Sequence, residues 1–313
     1  MAEIVGAFGV PHTPVFPFFV KRDGPESEIA RYFSALTVEL EKLKPDLIVM
    51  FDTDHLNTFF LDNLPIFSVA VTEVFKGPID EVREVPVQDI RSNADFGAHL
   101  RRAGIEAGFD LALLQEFGVD HSVAVPLHFM TPGMSVPVVP IFINGHVPPL
   151  PKSQRCFELG RMVKRAIETY SKPLRVVTMG SGSFSLDVFG PRIAPGRTDG
   201  VPDPDWCKRV VALLEQGEVA TIVKEATEEQ MQKAGNVGGE LLDWIAMLGA
   251  FAETDFAQGA FWLALAEITG LNLLLSGDNA VVIAMASRLL PPAQRRSAER
   301  MALTTAGDTS PPP

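Results

Sequence analysis

Short, continuous apolar runs constrain the fold of this chain more than any other feature of its sequence. DLIVMFD at residues 46–52 and VPVVPIFI at residues 136–143 are rich in Val and Ile and have the length of strands. Runs without an alternating polar face are typical of strands that are buried on both sides. EIVGAFGV at residues 3–10 and LRVVTMG at residues 174–180 are further candidate strands. Together these runs predict a buried central sheet.

Helical patterns lie between these runs. Residues 26–45 carry apolar side chains at helical spacing up to Pro45, where the helix should end. The segments 95–110 and 153–170 have similar patterns, and the chain becomes helical again after Pro204. This alternation predicts an α/β fold, layered α/β/α with a mostly parallel central sheet. In such sheets ligands bind beyond the carboxyl ends of the strands.

Composition narrows the class of protein. A chain of 313 residues, 46% of them hydrophobic, can build a sizeable core, and we assign the main domain to residues 1–254. The formal net charge of −12 argues against a nucleic-acid partner. Cys156 and Cys207 have no zinc-type spacing and are expected to be free thiols. The N-terminus has no basic region before Pro11, so we expect no signal peptide and a cytoplasmic location.

Two histidines follow predicted strands, His12 in GAFGVPHTP and His55 in IVMFDTDHL. The strand-end rule places them near each other, and two imidazoles with one carboxylate can hold a single Fe(II). Each histidine could instead be a hydrogen-bonded core or loop residue. Asp52 and Asp54 could orient the His55 ring, or form an Asx turn that closes the strand. A third ligand cannot be assigned from spacing, since Glu240 also suits an exposed helix start, although the Gly238-Gly239 pair before it permits close approach.

Between about residues 5 and 250 the chain resembles the class III extradiol ring-cleaving dioxygenases, with a LigB-type catalytic subunit. The resemblance is carried, in family order, by GVPHTP, FDTDHLNTFFLDNLPIFSVAV, VDHSVAVPLHFM, VPVVPIFINGHVPPLP, RVVTMGSGSFS and GGELLDWIAMLGA. It implies that His12, His55 and Glu240 bind Fe(2+) and that His121 is catalytic. It also implies a small catecholic substrate and O2, and we expect a homo-oligomer.

The other histidines of these motifs are weaker candidates. His121 could alternatively be a hydrogen-bonded residue at a strand–loop junction. His128 and His146 are expected at a pocket rim or on the surface. One position departs from the family: Gly182-Ser183-Phe184-Ser185 is followed by Leu186, where better-known members have a second catalytic histidine. Either another group replaces that function, or the chain is a catalytically impaired or non-enzymatic metal-binding relative.

The C-terminal part of the chain has a different character. Residues 259–296 resemble the first helices of TerC-type integral membrane proteins, with Asp278 and Asn279 in the motif LSGDNAVVIA. We expect residues 255–296 to form an apolar helical segment that associates with a membrane, or packs on the enzyme core or at a subunit interface. Residues 297–313 are small, polar and proline-rich, and are expected to be disordered. Too few spans are present for a transporter.

Overall fold

A computed structural model describes residues 1–190, 192–193 and 199–251. The predicted apolar segment 255–296 and the predicted disordered tail 297–313 lie outside these residues. Among the helices in the described ranges, none is both long and apolar enough to cross a membrane.

A six-stranded sheet forms the centre of the molecule, in the order β1-β8-β2-β7-β3-β6. All neighbours pair in parallel except β3 and β7, which are antiparallel, so the predicted mostly parallel sheet is confirmed. Two small antiparallel pairs, β4–β5 and β9–β10, accompany it. The strands are β1 Glu3–Val10, β2 Leu47–Asp52, β3 Phe67–Ala70, β4 Val74–Gly77, β5 Gln88–Arg91, β6 Ala112–Leu114, β7 Val138–Ile143, β8 Arg175–Ser181, β9 Asp187–Val188 and β10 Asp199–Gly200.

The described helices connect and cover the strands. They are α1 Phe16–Asp23, α2 Glu28–Leu43, α3 Ala94–Glu106, α4 His121–Met130, α5 Ser153–Thr169, α6 Pro204–Gln216, α7 Val219–Glu225, α8 Glu228–Lys233 and α9 Leu241–Phe251. The prediction that α2 ends at Pro45 is confirmed, since this helix stops at Leu43 and Lys44 adopts the left-handed conformation. Sequence periodicity missed α4, because ten mostly apolar residues with an internal Pro126 show little amphipathic pattern.

Helices lie on both faces of the sheet, as successive residues of β8 show. A Cβ atom on Gly180 would lie 2.9 Å from the carbonyl oxygen of Asp243 in α9. The next residue, Ser181, instead donates a hydrogen bond to the carbonyl oxygen of Ser122 in α4, at 2.8 Å. Because successive strand residues point to opposite faces, α9 and α4 lie on opposite sides. The layered α/β/α arrangement is therefore present.

Close packing fixes α9 against the sheet and against α5. A Cβ atom at Gly160 of α5 would lie 1.9 Å from the carbonyl oxygen of Ala246, so the two helices approach closely. Trp244 is fully buried, and its ring lies where a Cβ atom on Gly9 of β1 would stand, at 2.1 Å. Its Nε1 donates to the carbonyl oxygen of Gly182. The start of α9, with the preceding Glu240, is thus held at a defined position beside β1 and β8.

Candidate metal centre

Polar side chains collect beyond the carboxyl ends of four neighbouring parallel strands. His12 follows β1, His55 follows β2, His146 follows β7, and Ser181 ends β8 between the first two. Glu240 reaches the same place from the short 3-10 turn Gly238–Glu240 that precedes α9. The predicted position of the site at the strand-end crevice agrees with the position of these residues.

His12 is buried and its imidazole is oriented by Ser181. The Nδ1 atom lies 2.8 Å from Ser181 Oγ, which already donates its own hydrogen to the Ser122 carbonyl oxygen. Ser181 must therefore accept from His12, so Nδ1 carries the hydrogen and Nε2 keeps its lone pair. That Nε2 atom lies 3.3 Å from Glu240 Oε1. An imidazole fixed in this tautomer presents Nε2 to a metal ion.

His55 is oriented by Asp120, the N-cap residue of α4. Asp120 Oδ2 accepts from the backbone N of His55 at 2.8 Å and lies 3.2 Å from its Nδ1. The carboxylate can only accept, so the ring donates through Nδ1 and turns Nε2 toward Glu240 Oε1, at 3.1 Å. The same Asp120 accepts from the backbone N of Ser122 and so begins α4.

The expectation that Asp52 or Asp54 orients the His55 ring is wrong. Asp54 accepts from the backbone N atoms of Asn57, Thr58 and Phe59, which is the turn-forming alternative. Asp52 lies on β2 and accepts from Ser122 Oγ. Sequence reasoning missed Asp120, although an Asp directly before an apolar helical run is a signal for an N-cap.

Glu240 is buried between the two histidines. Its Oε2 accepts from the backbone N of Ser183 at 2.7 Å, and this leaves Oε1 facing the imidazoles. Glycines permit this approach: a Cβ atom on Gly239 would lie 2.0 Å from the carbonyl oxygen of Gly145, and one on Gly182 would lie 2.5 Å from the Glu240 Cβ. The close approach predicted for the Gly238-Gly239 pair is confirmed.

In the metal-free protein, the protonation of Glu240, His55 and His12 depends on their burial and on the charges of their neighbours. Burial disfavours charge on Glu240, but the neighbouring His12 and His55 outweigh it and hold its pKa well below the usual value. Burial likewise opposes charge on His55, but Asp120 and Glu240 raise its pKa well above 6.5. Burial lowers the pKa of His12. A proton on His55 therefore links two carboxylates, and a bound cation would displace that proton.

His121 lies beside these residues, and its place in the fold differs from the one named in the alternative interpretation. It is the first residue of α4, not part of a strand–loop junction. Its ring centroid is 4.3 Å from that of His55 and 5.4 Å from that of His12. Nδ1 lies 2.5 Å from Asp80 Oδ2, which can only accept, so Nε2 carries the lone pair. The structure thus brings together all four predicted site residues.

His146 and His128, the two weaker candidates, lie in different surroundings. The His146 ring centroid is 4.6 Å from that of His55, and its Nε2 lies 3.9 Å from Glu240 Oε1. His146 lines two pockets, in agreement with the expected rim position, and its side chain is only 12% exposed. Burial lowers its pKa to about 4. His128 lies in the last turn of α4 against Phe129. His146 follows β7 as His12 follows β1, so the strand-end rule could have found it.

Two further carboxyl groups, Asp52 and Asp243, are fully buried below the site. Asp52 Oδ1 and Asp243 Oδ1 have no hydrogen-bond partner in the described residues. Burial raises the pKa of each well above 3.8, and repulsion from Asp120 and Asp52, respectively, raises it further. Asp243 Oδ2 accepts from Thr53 Oγ1 at 2.7 Å.

Replacing Asp243 with asparagine should flatten the pH dependence of stability. A raised carboxyl pKa means that the folded protein holds a proton that the unfolded chain has lost, so stability falls as pH rises above about 4. We expect Asp243→Asn to reduce this slope by up to about 1.4 kcal/mol per pH unit between roughly pH 4 and 6. Urea unfolding of the metal-free protein measures it, with Asp62→Asn at an exposed position as control. If the free energy of unfolding had the same pH dependence in Asp243→Asn and Asp62→Asn, the raised pKa of Asp243 would be contradicted.

Two family models match the chain. One, described as the catalytic LigB subunit of aromatic ring-opening dioxygenase, matches residues 6–266 and so covers most of the chain. The other, the integral membrane protein TerC family, matches residues 257–306. The resemblance of each part of the chain to these two families is confirmed.

Curated relatives share about a quarter of the sequence. A 2,3-dihydroxyphenylpropionate/2,3-dihydroxicinnamic acid 1,2-dioxygenase from Klebsiella pneumoniae is 28% identical over 280 residues, covering 77% of this chain and 87% of that protein. Enzymes of the same name from Paraburkholderia phymatum and Escherichia coli are each 27% identical, covering 77% of this chain and 86% and 87% of those proteins. A crystal structure of an uncharacterised Escherichia coli K12 protein aligns with a TM-score of 0.50 at 18% identity, covering 79% of this chain and 89% of that one. This last likeness concerns the fold alone.

Proposed function

Because this chain belongs to the family of catalytic LigB subunits of aromatic ring-opening dioxygenases, we propose that it uses Fe(II) to insert both atoms of O2 into a catecholic ring and opens the ring beside the diol. The observation that supports this proposal is that Glu240 Oε1 faces the Nε2 atoms of both His12 and His55. Two neutral imidazoles and a carboxylate are the donor set of non-haem Fe(II) oxygenases.

The donor atoms fit one metal ion. Glu240 Oε1 lies 3.3 Å from His12 Nε2 and 3.1 Å from His55 Nε2. Ligands on adjacent positions of a metal with bonds of roughly 2.1 Å lie about 3 Å apart. Ser181, Asp120 and the Ser183 backbone N fix the three ligands from behind. We therefore assign His12, His55 and Glu240 as the metal ligands.

The protein side chains would supply proton transfer and shielding from water. When bound, Fe(II) supplies positions for the diol and O2 and a path for electrons from the ring to oxygen. His121 Nε2 bears a lone pair beside the ligands, so we assign His121 as the group that takes a proton from the diol and returns it later. Asp80 holds the Nδ1 hydrogen of the same ring and keeps it in place. The ligands are buried or largely buried, which limits access of bulk water.

The names of the relatives suggest a substrate for a first screen. They act on 2,3-dihydroxyphenylpropionate and 2,3-dihydroxycinnamic acid, which are catechols with a three-carbon acid chain. We propose that a substituted catechol is the substrate here. We also propose that the catalytic domain comprises residues 1–254. The TerC match begins at residue 257, and the LigB match runs on to residue 266 and overlaps it.

Oxygen uptake tests this function directly. Protein prepared without oxygen and loaded with Fe(II) should consume O2 on addition of a catechol and form a yellow ring-opened product. The panel should include the acids named above, unsubstituted catechol and alkylated diols. Failure to consume O2 with every diol, by protein that holds iron, would contradict the activity.

The alternative of a catalytically impaired metal-binding relative follows from Leu186. Its carbonyl oxygen accepts from the backbone N of Val237, and its half-buried side chain can exchange no proton. A Leu186→His variant separates the two possibilities. Activity that appears only in the variant would favour the impaired relative, whereas turnover by the parent protein would exclude it.

A further inference from the structure

His146 lies at the metal site without a role in the proposed reaction. It belongs to the turn after β7, where Asn144 Oδ1 accepts from the backbone N atoms of His146 and Val147, at 3.3 and 3.0 Å. Gly145, which lies between Asn144 and His146, packs against Gly239. The turn that carries His146 therefore contacts the segment that carries Glu240.

The tautomer of His146 is set by a backbone carbonyl group. Its Nδ1 lies 3.3 Å from the carbonyl oxygen of Asn236. A carbonyl oxygen only accepts, so Nδ1 carries the hydrogen and Nε2 carries a lone pair. His12 and His55 likewise donate through Nδ1, to Ser181 and Asp120. All three rings thus turn their Nε2 atom toward Glu240.

The Nε2 atom of His146 has no hydrogen-bond partner in the part of the chain that is described, although it is buried. It faces Glu240 Oε1 at 3.9 Å, too far for a hydrogen bond. A lone pair directed at a carboxylate is unfavourable unless a cation, or a water that donates to both atoms, lies between them. A separation of 3.9 Å is short enough for both atoms to bind one ion with bonds of roughly 2.1 Å.

We propose that His146 is a fourth protein ligand of the same metal ion. This inference rests on the proposed function for the existence of the site. The donor atoms of His55, His146 and Glu240 all lie within 4.8 Å of one another, and those of His12, His55 and His121 form a second such group. Three imidazoles and one carboxylate leave two open positions on a six-coordinate ion. With His146 bound, the ion would offer the diol and O2 one position fewer than a site of three protein ligands would.

A count of coordinated imidazoles tests the fourth ligand without reference to activity. Pulsed EPR of the Cu(II)-loaded protein should detect three imidazoles in the parent and two in His146→Leu, which cannot coordinate. His128→Leu, a change of the same type in the last turn of α4, should retain three. Competition with a chromophoric chelator should show Co(II) binding weakened at least about tenfold in His146→Leu, because loss of a mere supporting partner already costs 10–100-fold.

The possible outcomes separate this inference from the proposed function. Two imidazoles in the parent, or three in His146→Leu, would overturn the role of His146 while leaving the three-ligand site intact. No metal bound by the parent would overturn the proposed function itself. The count in the parent needs no variant, so a folding defect in His146→Leu cannot obscure the result, and His146→Gln provides a second, polar replacement.

Discussion

Replacing Glu240 with glutamine is expected to lower the affinity of the protein for Fe(II) by at least about 100-fold, beyond the 10–100-fold that loss of a supporting partner costs. The amide removes the one buried negative charge that faces both His12 and His55, while its oxygen can still accept from the Ser183 backbone N. A neutral amide oxygen is a much weaker ligand than a carboxylate. The metal-free variant should therefore fold and fail to retain iron.

Iron content after gel filtration, together with chelator competition, measures this effect. Glu116→Gln, at an exposed position, makes the same change in charge and should bind iron like the parent. Circular dichroism of the metal-free proteins establishes that each is folded. Equal iron content in Glu240→Gln and Glu116→Gln would refute the assignment of Glu240 as a ligand.

Replacing Asp120 with alanine should destabilise the metal-free protein by about 3–5 kcal/mol, because it removes one partner of a buried ion pair. Burial opposes charge on Asp120, but His55 and His121 hold its pKa well below 3.8, so the carboxylate is charged at pH 7. The variant also loses the N-cap of α4 and the acceptor of the Asn57 Nδ2 hydrogen bond. Asp120 is thus a positioning residue for His55 as well as part of the fold.

Urea unfolding at pH 7 measures the loss, with Asp110→Ala at an exposed position expected to stay within about 0.5 kcal/mol of the parent. Asp120→Asn keeps the side-chain volume and one acceptor oxygen, and it should bind metal 10–100-fold more weakly while unfolding at a smaller cost. A metal affinity unchanged in Asp120→Asn would show that His55 needs no carboxylate behind it.

The main layers of this fold could be predicted because they follow from local patterns. Residues 46–52 and 136–143 have uninterrupted apolar character, and both contain strands that are completely buried. Because such strands are buried on both faces, their apolar composition alone predicts that they lie inside a covered sheet. The reversed direction of β3 relative to β7 could not be predicted in this way, because pairing direction depends on how chain segments connect in space.

The site was predictable where one rule applied and unpredictable where partners come from distant segments. His12 and His55 follow strands, so the strand-end rule placed them correctly. His55 is oriented by Asp120, which is 65 residues away, and not by the adjacent aspartates. Proximity in sequence favoured Asp52 and Asp54, whose carboxylates are instead directed at Ser122 and at a turn. Glu240 required the family resemblance, because a lone carboxylate near a helix start has several ordinary roles.

The pairing of β1 with β8 has a consequence for synthesis of the chain. His12 and its partner Ser181 are 169 residues apart, and among the described strands β1 lies at the edge of the sheet and pairs with β8 alone. At a translation rate of about 5–20 residues per second, the first strand leaves the ribosome roughly 10–30 seconds before its partner exists. During that interval β1 is an unpaired apolar strand that can associate with other nascent chains. If His12, His55 and Glu240 hold the metal ion as proposed, metal loading must follow translation of the chain at least as far as Glu240.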